Sequence, residues 1–167
     1  MFTYLILMLL REWNIRSLRE EDLEQVAKWI NALAGVPAGN YLQAINLLKM
    51  EWQAAQTSGR GGYYLVSYGN EPVLHITLVK RPDGVLLFVL MDPAYDEDEM
   101  SWLYSWRTAL DLFYGSAGLT HLCVRISPQD YVQIKVLKLL GFRDSDVPGE
   151  YVSDERAWVN NGTLIPK

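Results

Sequence analysis

The chain has 167 residues, half of them apolar and 21% charged. That is the profile of one globular domain able to bury roughly 70% of its unfolded surface without staples. A net charge of −5 with scattered Lys and Arg excludes the basic face that general nucleic-acid binding needs, so no nucleic-acid partner is expected. A single cysteine, Cys123, allows no intramolecular disulfide, and one Cys with two His makes no metal-ligand cluster.

The apolar run from Phe2 to Leu10 is far short of the ~20 residues that span a bilayer. It also lacks the basic start and small-residue cleavage site of a signal peptide, so a cytoplasmic protein with no membrane partner is expected. Residues 1–12 read as an apolar extension to a domain of residues 13–167. Two origins for the extension stand open: an initiator at Met8, or a segment that packs as an edge strand or a homodimer contact.

"WNIRSL" reads as a short strand. In "REEDLEQVAKWINALA", Leu23, Val26, Ala27, Ile30 and Leu33 recur at helical spacing, with Glu20, Glu21 and Asp22 favouring the positive end of the helix. "GVPAGN" breaks that helix, and Asn40 with Gln43 forms a capping-box pattern for a second, whose inward stripe is Leu42, Ile45, Leu48 and Trp52. After "TSGRGG", the runs "YYLVSY", "PVLHITLV" and "VLLFVLM" predict a three-stranded antiparallel meander with turns at "GNE" and Asp83-Gly84.

A helix follows over "DEMSWLYSWRTALDLFYGSAG", with apolar positions 103, 106, 110 and 113 and closure at Gly115 or Gly118. "LTHLCVRI" is a strand beside the last strand of the meander. Its alternation makes Cys123 a core thiol rather than a nucleophile, and His75 and His121 also lie in strand-like runs that suit structural roles. "SPQDYVQIKVLKLLGF" predicts a helix with Ser127 as N-cap, Pro128 in its first turn and Asp130 as capping acid, ending at Gly141. "FRDSDV" and "ERAWV" read as two closing strands around a "PGEYVSD" loop. The order β-α-α-β-β-β-α-β-α-β-β predicts an α/β domain with a mixed, mostly antiparallel sheet and helices on both faces.

The junction "DPAYDEDEMS" carries Asp92, Asp96, Glu97, Asp98 and Glu99 where many α/β proteins bind an anion. One reading makes the carboxylates a solvated helix cap, each contributing ~0.3–1 kcal/mol; the other gives them a ligand. Under either, a phosphate within ~5 Å of two or three of them meets repulsion of order 1 kcal/mol per pair. Trp102 and Trp106 follow directly, while Trp29, Tyr41 and Trp52 lie on the first helical pair. Their ordinary role is core, but aromatic faces beside carboxylates also suit a cationic or amine ligand.

The element order resembles the GNAT superfamily of acyl-CoA N-acyltransferases. "IRSLREEDLEQVAKWI" is similar to its first strand and helix, "DPAY" to the start of its cofactor loop, and "SPQDYVQIKVLKLLGF" to its last helix with terminal Gly141-Phe142. The resemblance implies acetyl-CoA or another acyl-CoA as cofactor and a small-molecule or peptide amine as acceptor. It places the donor against Leu90, Met91 and Asp92, adds Ser101, Asp130 and Gln133 to the cofactor site, and offers Asp92 as a catalytic base. The chain departs from the family at three places. The Arg/Gln-x-x-Gly-x-Gly/Ala loop falls on Asp96 to Ser101, where only Ser101 keeps a small residue. Asp130 and Gln133 replace the usual Asn and Ala or Ser, and Leu137 replaces the tyrosine acid. Two functions therefore stand: an N-acetyltransferase-like enzyme, or a non-catalytic ligand-binding or protein-interaction module that has lost acetyl-CoA binding.

Overall fold

The computed structural model of the protein describes residues 12–34, 41–59, 61–156 and 158. Strands β1 (Trp13–Ser17), β2 (Gly61–Tyr68), β3 (Glu71–Arg81), β4 (Gly84–Met91), β5 (His121–Arg125), β6 (Arg143–Asp144) and β7 (Glu150–Asp154) form one sheet ordered β1-β2-β3-β4-β5-β7-β6. Neighbours are antiparallel except β4 and β5, which run parallel. Helices α1 (Leu23–Ala34) and α2 (Tyr41–Ser58) connect β1 to β2. Helix α3 (Glu99–Leu110), prolonged by a wider π-helical segment over Asp111–Ser116, connects β4 to β5, and α4 (Tyr131–Leu139) connects β5 to β6. This is the α/β architecture and the element order that the sequence predicts.

The meander strands are apolar on both sides because both faces are covered. Leu65 packs with Leu18, Val26, Trp29 and Leu48 under α1 and α2, while the adjacent Val66 joins the larger core containing Trp106, Leu110, Phe113 and Leu137 under α3 and α4. Full burial of each such side chain contributes about 1.5–3 kcal/mol. The first helical pair is fixed to the sheet by polar contacts as well. Arg16 forks onto the buried carboxylate of Asp22 at 2.6 and 2.8 Å, the Arg19 N–H donates to that carboxylate, and the Trp52 indole donates to the Leu18 carbonyl at 3.2 Å.

The structure corrects four local expectations. On α1 it is Trp29 that is buried, whereas Ile30 is exposed. The inner stripe of α3 is Trp102, Trp106, Ala109, Leu110 and Phe113, with Leu103 half-buried, because the Trp102 indole turns inward to reach the Asp96 carbonyl. Helix α4 is capped by Asp130 rather than Ser127. Residues Ser127 to Asp130 form a separate tight turn, closed by the Asp130 N–H on the Ser127 carbonyl, and the Ser127 hydroxyl donates to Gln129. The closing strand is "EYVSD", not "ERAWV": Glu150–Asp154 pairs along the whole of β5, with Arg125 matching the buried Glu150.

Gly141 ends α4 at φ 95°, in the left-handed region where glycine costs least, and Phe142 then packs on Trp106 with ring centroids 5.9 Å apart. The predicted extension up to residue 11, the Asn40 cap, and the side chains of Leu33, Tyr41 and Leu42 lie outside the described residues.

Candidate ligand cleft

Strands β4 and β5 pair at Val85↔Leu122, Leu86↔Cys123 and Leu87↔Val124. Beyond Leu87, β4 continues to Met91 against β3 while β5 turns away after Arg125, with the Ile126 N–H donating to the Gly149 carbonyl. The sheet therefore opens into a cleft of about 680 Å³. One wall is Val89 to Met91; the second is Asp96, Glu97 and Trp102; the third runs from Ser127 to Gln133 at the start of α4.

Overlapping turns build the acidic wall. The Asp92 N–H continues the ladder onto Val73 at 2.8 Å, and its carboxylate accepts from the Ala94 N–H at 2.9 Å. The Tyr95 N–H returns to the Asp92 carbonyl, and the Tyr95 hydroxyl donates to Glu71. Asp98 then caps α3, accepting from the Met100 N–H at 3.3 Å and from the Ser101 hydroxyl at 2.6 Å. Glu99 lies 3.0 Å from the Lys135 ammonium on α4.

The opposite wall is acidic too. Asp130 accepts from the Gln133 N–H at 3.3 Å. Burial raises the proton affinity of the Asp130 carboxyl, Asp96 across the cleft adds to the rise, and the Gln133 hydrogen bond partly offsets both. The Gln133 side chain is 2% exposed, lines the cleft, and its Nε2 has no hydrogen-bond partner among the described residues.

Of the residues singled out from sequence, Leu90, Met91, Asp130 and Gln133 line the cleft together. Asp92 sits at the hinge between β4 and the acidic loop, and Ser101 is buried behind Asp98; neither is part of the lining. Leu137 is wholly buried in the core, while Tyr131 is 75% exposed beside the cleft. Asp96, Glu97 and Trp102, named from the acidic junction, line it too, whereas Gln129 and Val132 were not singled out from their own local pattern. What brings them together is the splay of β4 from β5.

A pyrophosphate does not fit at the start of α3. The Asp98 carboxylate already takes the first-turn N–H of Met100, Asp96 and Glu97 face the cleft, and no Lys or Arg lines it among the described residues. An anion placed there meets the Asp96 and Glu97 carboxylates and finds the Met100 amide already taken.

A separate cavity of about 570 Å³ is lined by Arg81, His121, Cys123, Arg125, Arg143 and Glu150, with other residues. Its charges are matched internally. Arg125 lies 2.6 Å from Glu150 and, with the Cys123 thiol, holds the Glu150 carboxyl below its ordinary proton affinity. Burial and the adjacent Glu150 push the Cys123 thiol up to about 11. Among the described residues no group of three or more His, Cys, Asp or Glu could hold a metal ion, and no helix is long and apolar enough to cross a membrane.

Solved structures share this architecture. A spermidine N-acetyltransferase SpeG chimera from Vibrio cholerae and hSSAT superposes with a TM-score of 0.71 at 11% identity, covering 89% of this chain and 98% of that one. The aminoglycoside acetyltransferase AAC(6')-Ib in complex with coenzyme A gives 0.69 at 14%, covering 89% and 98%. FdhC, a nucleotide-linked sugar GNAT, gives 0.70 at 11%, covering 92% and 93%. The chain thus has the GNAT fold. No protein-family model and no curated protein matches its sequence.

Proposed function

We propose that the chain is an N-acetyltransferase-like protein of the GNAT fold whose β4/β5 cleft binds an amine-bearing ligand and does not take the pyrophosphate of acyl-CoA. The observation that carries this reading is Asp98, whose carboxylate caps the first turn of α3 while Asp96 and Glu97 face the cleft. The core position of Leu137, where the resemblance calls for a proton donor, supports binding without transfer. Neighbours named for spermidine and aminoglycosides, both amines, support a small-molecule or peptide amine as the ligand. A cytoplasmic location and a homodimer joined through residues 1–12 belong to the same proposal.

The second reading is acyl transfer from an acyl-CoA to an amine, with Leu90, Met91 and Asp92 beside the donor and Asp92 as base. The free edge of β4 beyond Leu87 favours it, because that stretch has no strand partner on the β5 side.

Isothermal titration with acetyl-CoA and desphospho-CoA at low salt decides between them. Absence of heat at millimolar ligand is the expected result. Micromolar binding of either compound establishes the cleft as a cofactor site and overturns the first reading.

A further inference from the structure

Resting on the homodimer reading and independent of what the cleft binds, we propose that two copies join chiefly through the face of β4, β5 and β7 turned away from α3 and α4. Residues 1–12 only add to that joint.

Residues directly opposite each other on neighbouring strands share a face. Val79 pairs with Leu86, Leu86 with Cys123, Cys123 with Val152, and Val152 with Arg143, which makes one row across β3, β4, β5, β7 and β6. The alternate residues Leu87, Leu122 and Val124 belong to the core under α3 and α4, so this row points the other way. On that side, among the described residues, the core under α1 and α2 takes in Tyr63, Leu65 and Leu90 from the sheet. Val79, Leu86, Cys123 and Val152 join neither core. Phe88, two positions along β4 from Leu86, shares the face, and it and Val79 are 39% and 38% exposed. The Phe88 ring lies 5.8 Å from the Arg125 guanidinium. An apolar strip edged by arginines has the make-up of an interface centre and rim.

Charge selects the partner. The chain carries −5 overall, which sets two copies repelling over most of their surface. The cavity along this strip is the exception, because Arg81, Arg125 and Arg143 stand there beside Asp83, Asp146 and Glu150. A partner of one sign gains no net attraction from a balanced set. A copy turned about a two-fold axis brings the same mixed set, so its arginines face these carboxylates while the apolar strips close on each other. Excluding water there also strengthens the Phe88–Arg125 contact.

The test is sedimentation of the full chain over a concentration series reaching about 100 µM, where a dimer is expected. Phe88→Glu and Val79→Glu, both at exposed positions, should each weaken it at least about tenfold. Met50→Glu, on the exposed side of α2, should leave it unchanged, and Leu5→Glu should weaken it less than either. Thermal unfolding shows that each variant is folded. Arg143→Glu makes the patch acidic and Asp146→Arg makes it basic, so each alone should pair more weakly than the parent. An equimolar mixture of the two should recover at least the parent's association. A dimer that survives both Phe88→Glu and Val79→Glu, or a mixture that associates no better than its components, overturns the inference. A dimer broken by Leu5→Glu and kept by the two sheet variants also overturns it, and leaves the joint at residues 1–12 standing. A chain that stays monomeric to about 100 µM overturns the homodimer reading itself, and this inference with it.

Discussion

The indole N–H of Trp102 donates to the backbone carbonyl of Asp96 across 2.7 Å, tying the acidic loop to the first turn of α3 from inside the fold. Trp102→Phe keeps an aromatic ring in the core and deletes this bond. The expected loss is about 1–2 kcal/mol in urea unfolding, from the missing bond and the smaller ring. Limited proteolysis should show faster cleavage between Asp92 and Glu99 than in the parent. An unchanged cleavage rate would mean that the turns at Asp92 and Asp98 hold the loop unaided.

Charge at the cleft should govern which ligands enter. Replacing Asp96 and Glu97 together by Asn and Gln removes two negative groups from one wall. Each phosphate–carboxylate pair removed relieves roughly 1 kcal/mol, so acetyl-CoA affinity should rise about tenfold or more. The gain should shrink as salt is added, because screening weakens the parent's repulsion. Calorimetry across a salt series reads both effects.

Acid should destabilise the protein through His75, which is 5% exposed, with Nδ1 at 3.2 Å from the Tyr64 carbonyl and Nε2 at 3.1 Å from the Thr77 hydroxyl. Burial lowers its pKa to about 4, against about 6.5 for an unfolded histidine. Below pH ~6.5 the unfolded chain takes up a proton that the folded chain refuses, so stability falls as the pH drops from ~6.5 toward ~4. The full effect is about 3 kcal/mol. His75→Gln should flatten the loss in that window when urea midpoints are compared from neutral to acid pH.

Cys123 should be inert while the protein is folded. Its thiol is buried, donates to Glu150 at 3.4 Å, and with a pKa of about 11 stays protonated at pH 8. Only the thiolate reacts, so disulfide reagents should label it in urea and not in buffer. Labelling of folded protein at the unfolded rate would contradict this placement.

The element order was legible in the sequence because hydrophobic period changes cleanly from about 3.6 to 2 and back, with glycine and proline at the joints. The last strand was not, because Glu150, Ser153 and Asp154 look like loop residues in isolation. Glu150 becomes a buried strand residue only because Arg125 and Arg81 lie beside it in the folded sheet. Likewise Ser127-Pro128 carries the marks of a helix start, yet the next turn closes first and Asp130 caps instead. Four of the proposed site residues meet in the cleft, since the resemblance places β4 and α4 side by side. The pairing of Asp96 with Asp130 across it, and the orphaned Gln133 amide, depend on distances that no local pattern encodes.

The two halves of the sheet are joined by the three rungs from Val85 to Leu87 beside Leu122 to Val124. The seam is shorter than the ladders on either side of it, so fewer backbone hydrogen bonds resist its opening. A guest that wedges between the strands loads the Leu87–Val124 rung first, then the two behind it, so gaining width means breaking the ladder from its open end. The size of such a guest would then be limited by the strength of this short seam as much as by the shape of the walls.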